Sequence, residues 1–271
     1  MTDQRQTDLL RALIDAGGES ISLGTLSQRA GFKAPDLLLL LSSLEQDGFT
    51  FERTSSSIRL VSEPDAIRPQ AVLARLDTRF IGREIYVFRE TSSTNHLARR
   101  AGLGGSGEGV TFFAERQTAG RGTHGRNWVS ETNQGLWFSI VLRSPLPANE
   151  CPVLVRMAAL AAAEAAEHWS DMPVEIKPPN DLILAGGKLA GFLLETSNAW
   201  DFQVLGLGIN VRSAPRIEGY PTAAVEQFSS RGPIPLAGLA AHVLNRFEKW
   251  YARTPLELVE QTFAARTLRR V

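Results

Sequence analysis

The sequence predicts an α+β protein: an N-terminal winged helix-turn-helix followed by a larger domain on a mixed β-sheet. Two observations predict this. In the first sixty residues, helical apolar spacing occurs three times and is followed by two strand-like runs around a serine-rich turn. Beyond a polar segment with two prolines, short strand-like runs pair with each other across tight turns instead of alternating one for one with helices. The parts are residues 1–62, a linker at 63–70 and a domain over 71–271.

In the first part, TDLLRALIDA sets Leu9, Leu10, Leu13 and Ile14 on one helical face, and Gly17 and Gly18 end it. SLGTLSQRAGF predicts a short helix and turn. APDLLLLLSSLEQDG predicts a longer helix, with Pro35 in its first turn and Gly48 at its end. FTFERTSSSIRLV predicts a two-stranded wing. In the second part, EIYVFRE is a strand and STNHLARRA a helix with a Ser or Thr cap. VTFFAERQ and GLWFSIVLR are strands flanking a glycine- and arginine-rich loop. VLVRMAALAAAEAAEHW is a long helix. VEIK, DLILAGGKLAGFLLE and FQVLGLGINV are strands, with Ala185-Gly186-Gly187 as a hairpin turn. LAGLAAHVLNRFEKWYA and LELVEQTFAAR are C-terminal helices.

Composition excludes several classes. With 43% hydrophobic residues the chain has the apolar mass for a real core. Its 29 basic and 29 acidic residues cancel, so no general attraction to nucleic acid or anionic membrane exists and any such site is local. The single cysteine, Cys151, rules out an internal disulfide and any multi-cysteine metal site, and it fits a reducing cytoplasm. There is no signal-peptide core and no apolar run long enough to span a bilayer. The four histidines are scattered without metal-ligand spacing, and no nucleophile triad is visible.

The loop QTAGRGTHGRNW, 117–128, carries the strongest chemical signal. Gly120, Gly122 and Gly125 permit close backbone approach to a bound group, while Arg121 and Arg126 offer forked cationic donors suited to carboxylate or phosphate. KPPNDLIL places Lys177 at a strand end, followed by Asn180 and Asp181, and GGKLAG presents Lys188 at a hairpin mouth. Four cations with Asn180 and Asp181 as ribose or metal partners suit a nucleoside triphosphate with Mg²⁺. GLGGSG, 102–107, matches the dinucleotide fingerprint in letters only. A helix precedes it and a strand follows, the reverse of what that motif needs, so it reads as a surface loop.

STN at 93–95, QTAGRGTHGRNW, KPPNDL, GGKLAG and GLGIN occur in the order and spacing of biotin protein ligases. With its N-terminal module, the chain resembles the bifunctional biotin ligase/repressor type. The resemblance implies a catalytic domain of the biotin/lipoate protein ligase fold and a two-step reaction. Biotin and ATP give biotinyl-5′-AMP and pyrophosphate, and biotin then passes to a lysine of a biotin carboxyl carrier domain. It implies ATP and Mg²⁺ as cofactors, a loop that orders over the intermediate, and sheet-edge pairing as one route to a homodimer. Arg121, Lys188 and Arg126 are the implied catalytic residues. Ser93, Thr94, Asn95, Gln117, Arg121, Gly122, Thr123, Lys188, Gly191 and Gly206 are implied around biotin, with Gly208 beside them. Arg126, Trp128, Lys177, Asn180 and Asn210 are implied on the ATP side, and Asp181 as a magnesium partner. A ligase for another carboxylic acid such as lipoate is the alternative on this fold. Gln117 and the 93–95 run favour biotin, because a fatty chain needs no ureido partner.

Three departures carry expectations. Thr123 stands where the family has an arginine that retains the adenylate, so weaker retention is expected. Pro178 replaces a tryptophan, removing an aromatic from the nucleotide side. The family's small C-terminal SH3-like domain would begin about where TLRRV ends the sequence, and a change in ATP and acceptor handling is expected. DNA binding is opposed by side chains. Residues 1–65 hold six basic and ten acidic residues, net −4, and the helix in the recognition position carries five consecutive leucines, which cannot read base edges. A protein-contact role, or a weak-ligase biotin sensor if DNA does bind, are the competing readings of that module.

Overall fold

The computed structural model describes residues 4–31, 34–197 and 201–268, which fall into two compact units, Met1–Arg75 and Leu76–Val271.

The first unit runs α1 (Gln4–Asp15), β1 (Ile21–Ser22), α2 (Leu23–Ala30), α3 (Ala34–Gln46), β2 (Thr50–Arg53), β3 (Ser57–Ser62) and α4 (Pro69–Leu73). Leu9, Leu10 and Leu13 of α1 are fully buried, as their spacing predicts. Ser22 caps α2 by accepting from the Thr25 N–H at 3.0 Å. The wing has a third strand: β1 pairs antiparallel with β3, too short for any periodicity to announce. The leucine run of α3 divides by helical geometry. Leu37, Leu40, Leu41 and Leu44 enter the core, while Leu38 and Leu39 are 59% and 72% exposed. Asp3 and Lys33, counted in the module's charge, lie outside the described residues.

The stretch read as a linker at 63–70 is packed into this unit. Ile67 and Gln70 are buried, Arg68 donates to the Asp47 carbonyl at 3.0 Å, and Gln70 donates to the Asp47 carboxylate at 2.7 Å. Arg11 closes the end of α4 by donating to the carbonyls of Leu73 and Ala74. The division between units therefore falls after Arg75. Two prolines suggested a linker, but Pro69 opens α4 at its first turn, where a missing N–H costs nothing.

The second unit contains β4 (Ile85–Thr91), α5 (Thr94–Leu103), β5 (Thr111–Gln117), β6 (Gly135–Leu142), α6 (Val153–Trp169), β7 (Val174–Lys177), β8 (Asp181–Leu184), β9 (Gly187–Thr196), β10 (Gln203–Asn210), α7 (Leu236–Arg253) and α8 (Leu256–Ala265). Seven strands form one sheet in the order β4-β5-β6-β10-β9-β8-β7, antiparallel throughout except for the β4–β5 pair. Every residue of β6 and β10 is buried, which explains their continuous apolar sequence. On β10, Phe202 just before the strand and Val204 within it pack against Ala98 of α5, and alternation carries Gly206 and Gly208 onto that same face. The alanine-rich α6 lies against β7 to β10 and α7, its small side chains allowing close approach. Ala185 (φ 47°) and Gly186 (φ 79°) make the tight β8–β9 hairpin that the sequence announced. In the GLGGSG stretch, Gly102 belongs to α5 and Gly104 follows its end. Cys151 is buried just before α6, and burial pushes its thiol pKa up.

Candidate active site

A cavity of about 500 Å³ opens on the sheet face that carries Gly206 and Gly208. Its walls include Ser93, Thr94, Asn95, Gln117, Arg121, Gly122, Thr123, Arg126, Trp128, Asn180, Lys188, Gly191, Gly206 and Asn210. Residues chosen from five separate sequence motifs thus meet in one place. Lys177 and Asp181 are not part of that lining but touch it, Asp181 at Lys188 and Lys177 at Tyr220.

One end of the cavity is a hydrogen-bonded polar network. Asn95 is 4% exposed; its Nδ2 donates to Glu195 Oε2 at 2.7 Å, and its Oδ1 accepts from Ser139 Oγ at 2.6 Å. Ser139 Oγ also lies 2.7 Å from Thr94 Oγ1. Gln117 Oε1 accepts from the Thr94 N–H and hydroxyl, and Gln117 Nε2 donates to Ser130 Oγ at 2.8 Å. Gln117 is therefore also a strut between α5 and the loop that follows β5. Ser93 precedes α5, but its side chain makes no capping bond. Gly206 is required here, since a β-carbon on it would lie 2.2 Å from Asn95 Oδ1.

The glycine- and arginine-rich loop folds over the cavity as a flap. The N–H groups of Thr118 and Ala119 donate to the carbonyls of Thr91 and Ser92, pinning its root. The Trp128 N–H donates to the Gly120 carbonyl, and the Gly122 N–H to the Arg126 carbonyl at 2.7 Å. At the tip, His124 (φ 56°) and Gly125 (φ 71°) make the reversal; Gly120 serves by close approach, a β-carbon there falling 2.4 Å from the Trp128 carbonyl oxygen. Arg121 pairs with Glu195. Arg126 folds back, donating to the Thr123 carbonyl and to Thr123 Oγ1 at 2.9 Å. The Trp128 ring lies over Gly191 and Gly208, and its buried Nε1 finds no hydrogen-bond partner.

At the opposite end, Lys188 Nζ lies 2.7 Å from Asp181 Oδ1 and 5.4 Å from the Trp128 ring centroid. Its main chain is bracketed by the segment after β10. The Lys188 N–H donates to the Pro221 carbonyl, and the Ala223 N–H donates to the Lys188 carbonyl. Lys188 is thus held in place, and is no solvated turn lysine. That segment adds Pro215, Ile217, Glu218, Tyr220 and Thr222 to the lining, none of which sequence reasoning found. Tyr220 stands between Lys177 and Lys188, 5.4 and 6.0 Å from their ammonium groups, with its hydroxyl 3.5 Å from Asp181 Oδ2. Asn210 Nδ2 donates to the carbonyls of Lys188 and Ala223, whereas its buried Oδ1 accepts nothing. Asn180 is held by Phe192, its Nδ2 donating to the Phe192 carbonyl at 2.9 Å.

Asp181, the expected magnesium partner, has its charge met by Lys188 and lies among cations. No group of three His, Cys, Asp or Glu side chains able to hold a metal comes together among the described residues.

The chain matches the Biotin/lipoate A/B protein ligase family over residues 87–210, the stretch that builds most of this cavity. It is 28% identical to the bifunctional ligase/repressor BirA of Bacillus subtilis, over 97% of this chain and 85% of that one. It is 36% identical to a biotin--[acetyl-CoA-carboxylase] ligase of Mycobacterium tuberculosis, over 57% of this chain and 61% of that one. A solved structure of the biotin protein ligase from Aquifex aeolicus in complex with biotin and ATP superposes with a TM-score of 0.59 at 26% identity, covering 69% of this chain and 79% of that one.

Proposed function

We propose that the protein is a biotin protein ligase, which forms biotinyl-5′-AMP from biotin and ATP and transfers biotin to a lysine of a carboxyl carrier protein. The observation that carries this reading is the single cavity uniting the 93–95 run and Gln117 with Arg121, Arg126, Trp128 and Lys188.

The geometry supports a division of labour. Biotin's ureido ring lies against Ser93, Thr94, Asn95 and Gln117, whose hydroxyls and amides offer both donors and acceptors. Its carboxylate reaches toward Arg121 and Lys188, beside Gly122, Thr123, Gly191 and Gly206. These two cations offset the negative charge that gathers as carboxylate attacks the α-phosphate. Arg126 serves the phosphates. Asn210 Oδ1, buried without a donor, fits a base amino group or ribose hydroxyl. Trp128 and Tyr220 supply aromatic walls near Lys188. Lys177 lies against Tyr220, and Asn180 lines the cavity from its bond to the Phe192 carbonyl. Magnesium would enter with the triphosphate, with Asp181, paired with Lys188 in the ligand-free chain, as a carboxylate beside it. The flap keeps water from the mixed anhydride until the acceptor lysine arrives. A reducing, ATP-rich cytoplasm suits this chemistry, and among the described residues no helix is long and apolar enough to cross a membrane.

The test is direct. The protein is incubated with Mg-ATP and either biotin or lipoate, and acyl-AMP and a modified carrier lysine are sought by mass spectrometry. Biotinyl-AMP with biotin alone supports the proposal. Lipoyl-AMP in its place would reassign the acid, and the absence of both would refute the ligase reading.

A further inference from the structure

We propose, on the basis of the ligase reading, that Glu195 is a positioning residue that ties the flap to the biotin pocket through one carboxylate oxygen. Glu195 Oε2 accepts from Asn95 Nδ2 at 2.7 Å and pairs with Arg121 Nη2. β9 places Glu195 opposite Val204, two residues before Gly206 on β10, so the carboxylate emerges beside the pocket floor. From Asn95 the network continues through Ser139, Thr94 and Gln117 to Ser130. Arg121 within the flap and Ser130 just beyond its end are thus fastened to the same polar chain.

The pairing has two consequences. Glu195 fixes the Arg121 guanidinium at the cavity wall, so its remaining donors are oriented before an anionic ligand arrives. It also accepts from the buried Asn95 amide, leaving Asn95 Oδ1 directed at Ser139 and the pocket. Unlike Arg121 and Lys188, Glu195 needs no contact with the reacting atoms. Its single charge sets the rest position of the flap and the orientation of a ring-pocket amide together.

Two substitutions separate these duties. Glu195→Gln keeps an oxygen for Asn95 but loses the charge that holds Arg121. Glu195→Ala loses both. In the ligand-free full chain, limited trypsin digestion followed by mass spectrometry of cuts after Arg121 and Arg126 reads flap opening. Both variants are expected to be cut about fivefold faster there, the scale of one partly exposed ion pair. In steady-state kinetics, biotin KM is expected to rise about tenfold more in Glu195→Ala than in Glu195→Gln, because only the former leaves the Asn95 amide unsatisfied. Wild-type cleavage of Glu195→Gln, or equal KM shifts in the two variants, overturns the proposal. Should Glu195→Ala fail to fold, cleavage of Glu195→Gln decides it. The digestion needs no substrate, so a failure of the ligase reading stays distinguishable from a failure of the latch.

Discussion

The indole of Trp128 occupies the space that a β-carbon on Gly208 would need: a methyl built there would lie 2.5 Å from Trp128 Nε1 and Cε2. Gly208→Ala therefore has to expel the ring from its seat on β10, at a cost of about 1–3 kcal/mol for such overpacking. Under the proposed function the ring lines the nucleotide side of the cavity, so ATP KM should rise about tenfold while biotin KM changes little. Pyrophosphate-release kinetics measure both. In a Trp128→Ala background there is no ring to displace, and the same glycine substitution should then have no further effect on ATP KM.

Lys188 and Asp181 form a pair in which each side chain is at least four-fifths buried, 17% and 11% exposed. Removing the cation strands the carboxylate. Lys188→Gln should lower the rate of adenylate formation about 100-fold, as expected for a lost charge-stabilising donor. It should also destabilise the fold by about 3 kcal/mol. Adding Asp181→Asn removes the stranded charge. Thermal melting should then recover toward wild type while the rate stays low. Recovery of rate in the double variant would show that Lys188 acts only on Asp181.

Much of this site was legible because its residues sit in short motifs at strand ends and tight turns, where glycine, proline and charge leave local marks. QTAGRGTHGRNW and GGKLAG belong to that kind. Glu195 left no mark, being one acid on a strand whose neighbours Leu193, Leu194 and Thr196 say nothing of what crosses above them. Its role arises from Asn95 and Arg121, 100 and 74 residues away in sequence. Tyr220 was missed for a related reason: its loop has no periodicity, and only the pairing of Lys188 with Thr222 returns it to the cavity. In the first unit, the helices followed from leucine spacing, but two-residue β1 lies below any periodic signal, and the prolines near 63–70 concealed a packed segment.

Thr123 lines the cavity, and its hydroxyl accepts from the back-folded Arg126 at 2.9 Å. A hydroxyl there offers no charge to a phosphate. Thr123→Arg should add one charge-assisted hydrogen bond, worth about 1.5–3 kcal/mol, and so lengthen retention of biotinyl-AMP by about tenfold or more. Release of labelled intermediate from the preloaded protein measures it. Unchanged retention would mean that Arg126 already supplies that charge.

The exposed surface of α3 presents Leu38, Leu39, Ser42, Glu45 and Gln46, so one amide at its C-terminal end is all it offers base edges besides a hydroxyl and an acid. With 8 basic and 10 acidic residues over Met1–Arg75, net −2, this face is expected to give no tight, sequence-dependent complex with DNA from upstream of a biotin operon, even at low salt. An electrophoretic shift that depends on sequence and strengthens with biotin and ATP would instead favour the repressor reading.

The last expectation concerns acid. His242 on α7 faces His168 on α6, ring centroids 4.8 Å apart, with Arg246 and Lys249 adding positive charge and Glu164 of α6 occupied by Arg246 and Trp250. Burial foremost, then the neighbouring His168, Arg246 and Lys249, lower the His242 pKa from 6.5 to about 4. In the unfolded chain the imidazole takes up its proton near its ordinary value, so unfolding binds a proton throughout the window between the two. This contribution is therefore complete above pH 6.5, declines as pH falls toward about 4, and is constant below. Thermal melts across that range should show the midpoint falling with acid. Replacing the imidazole, as in His242→Gln, should flatten that part of the curve, and an unchanged slope would place the acid sensitivity elsewhere.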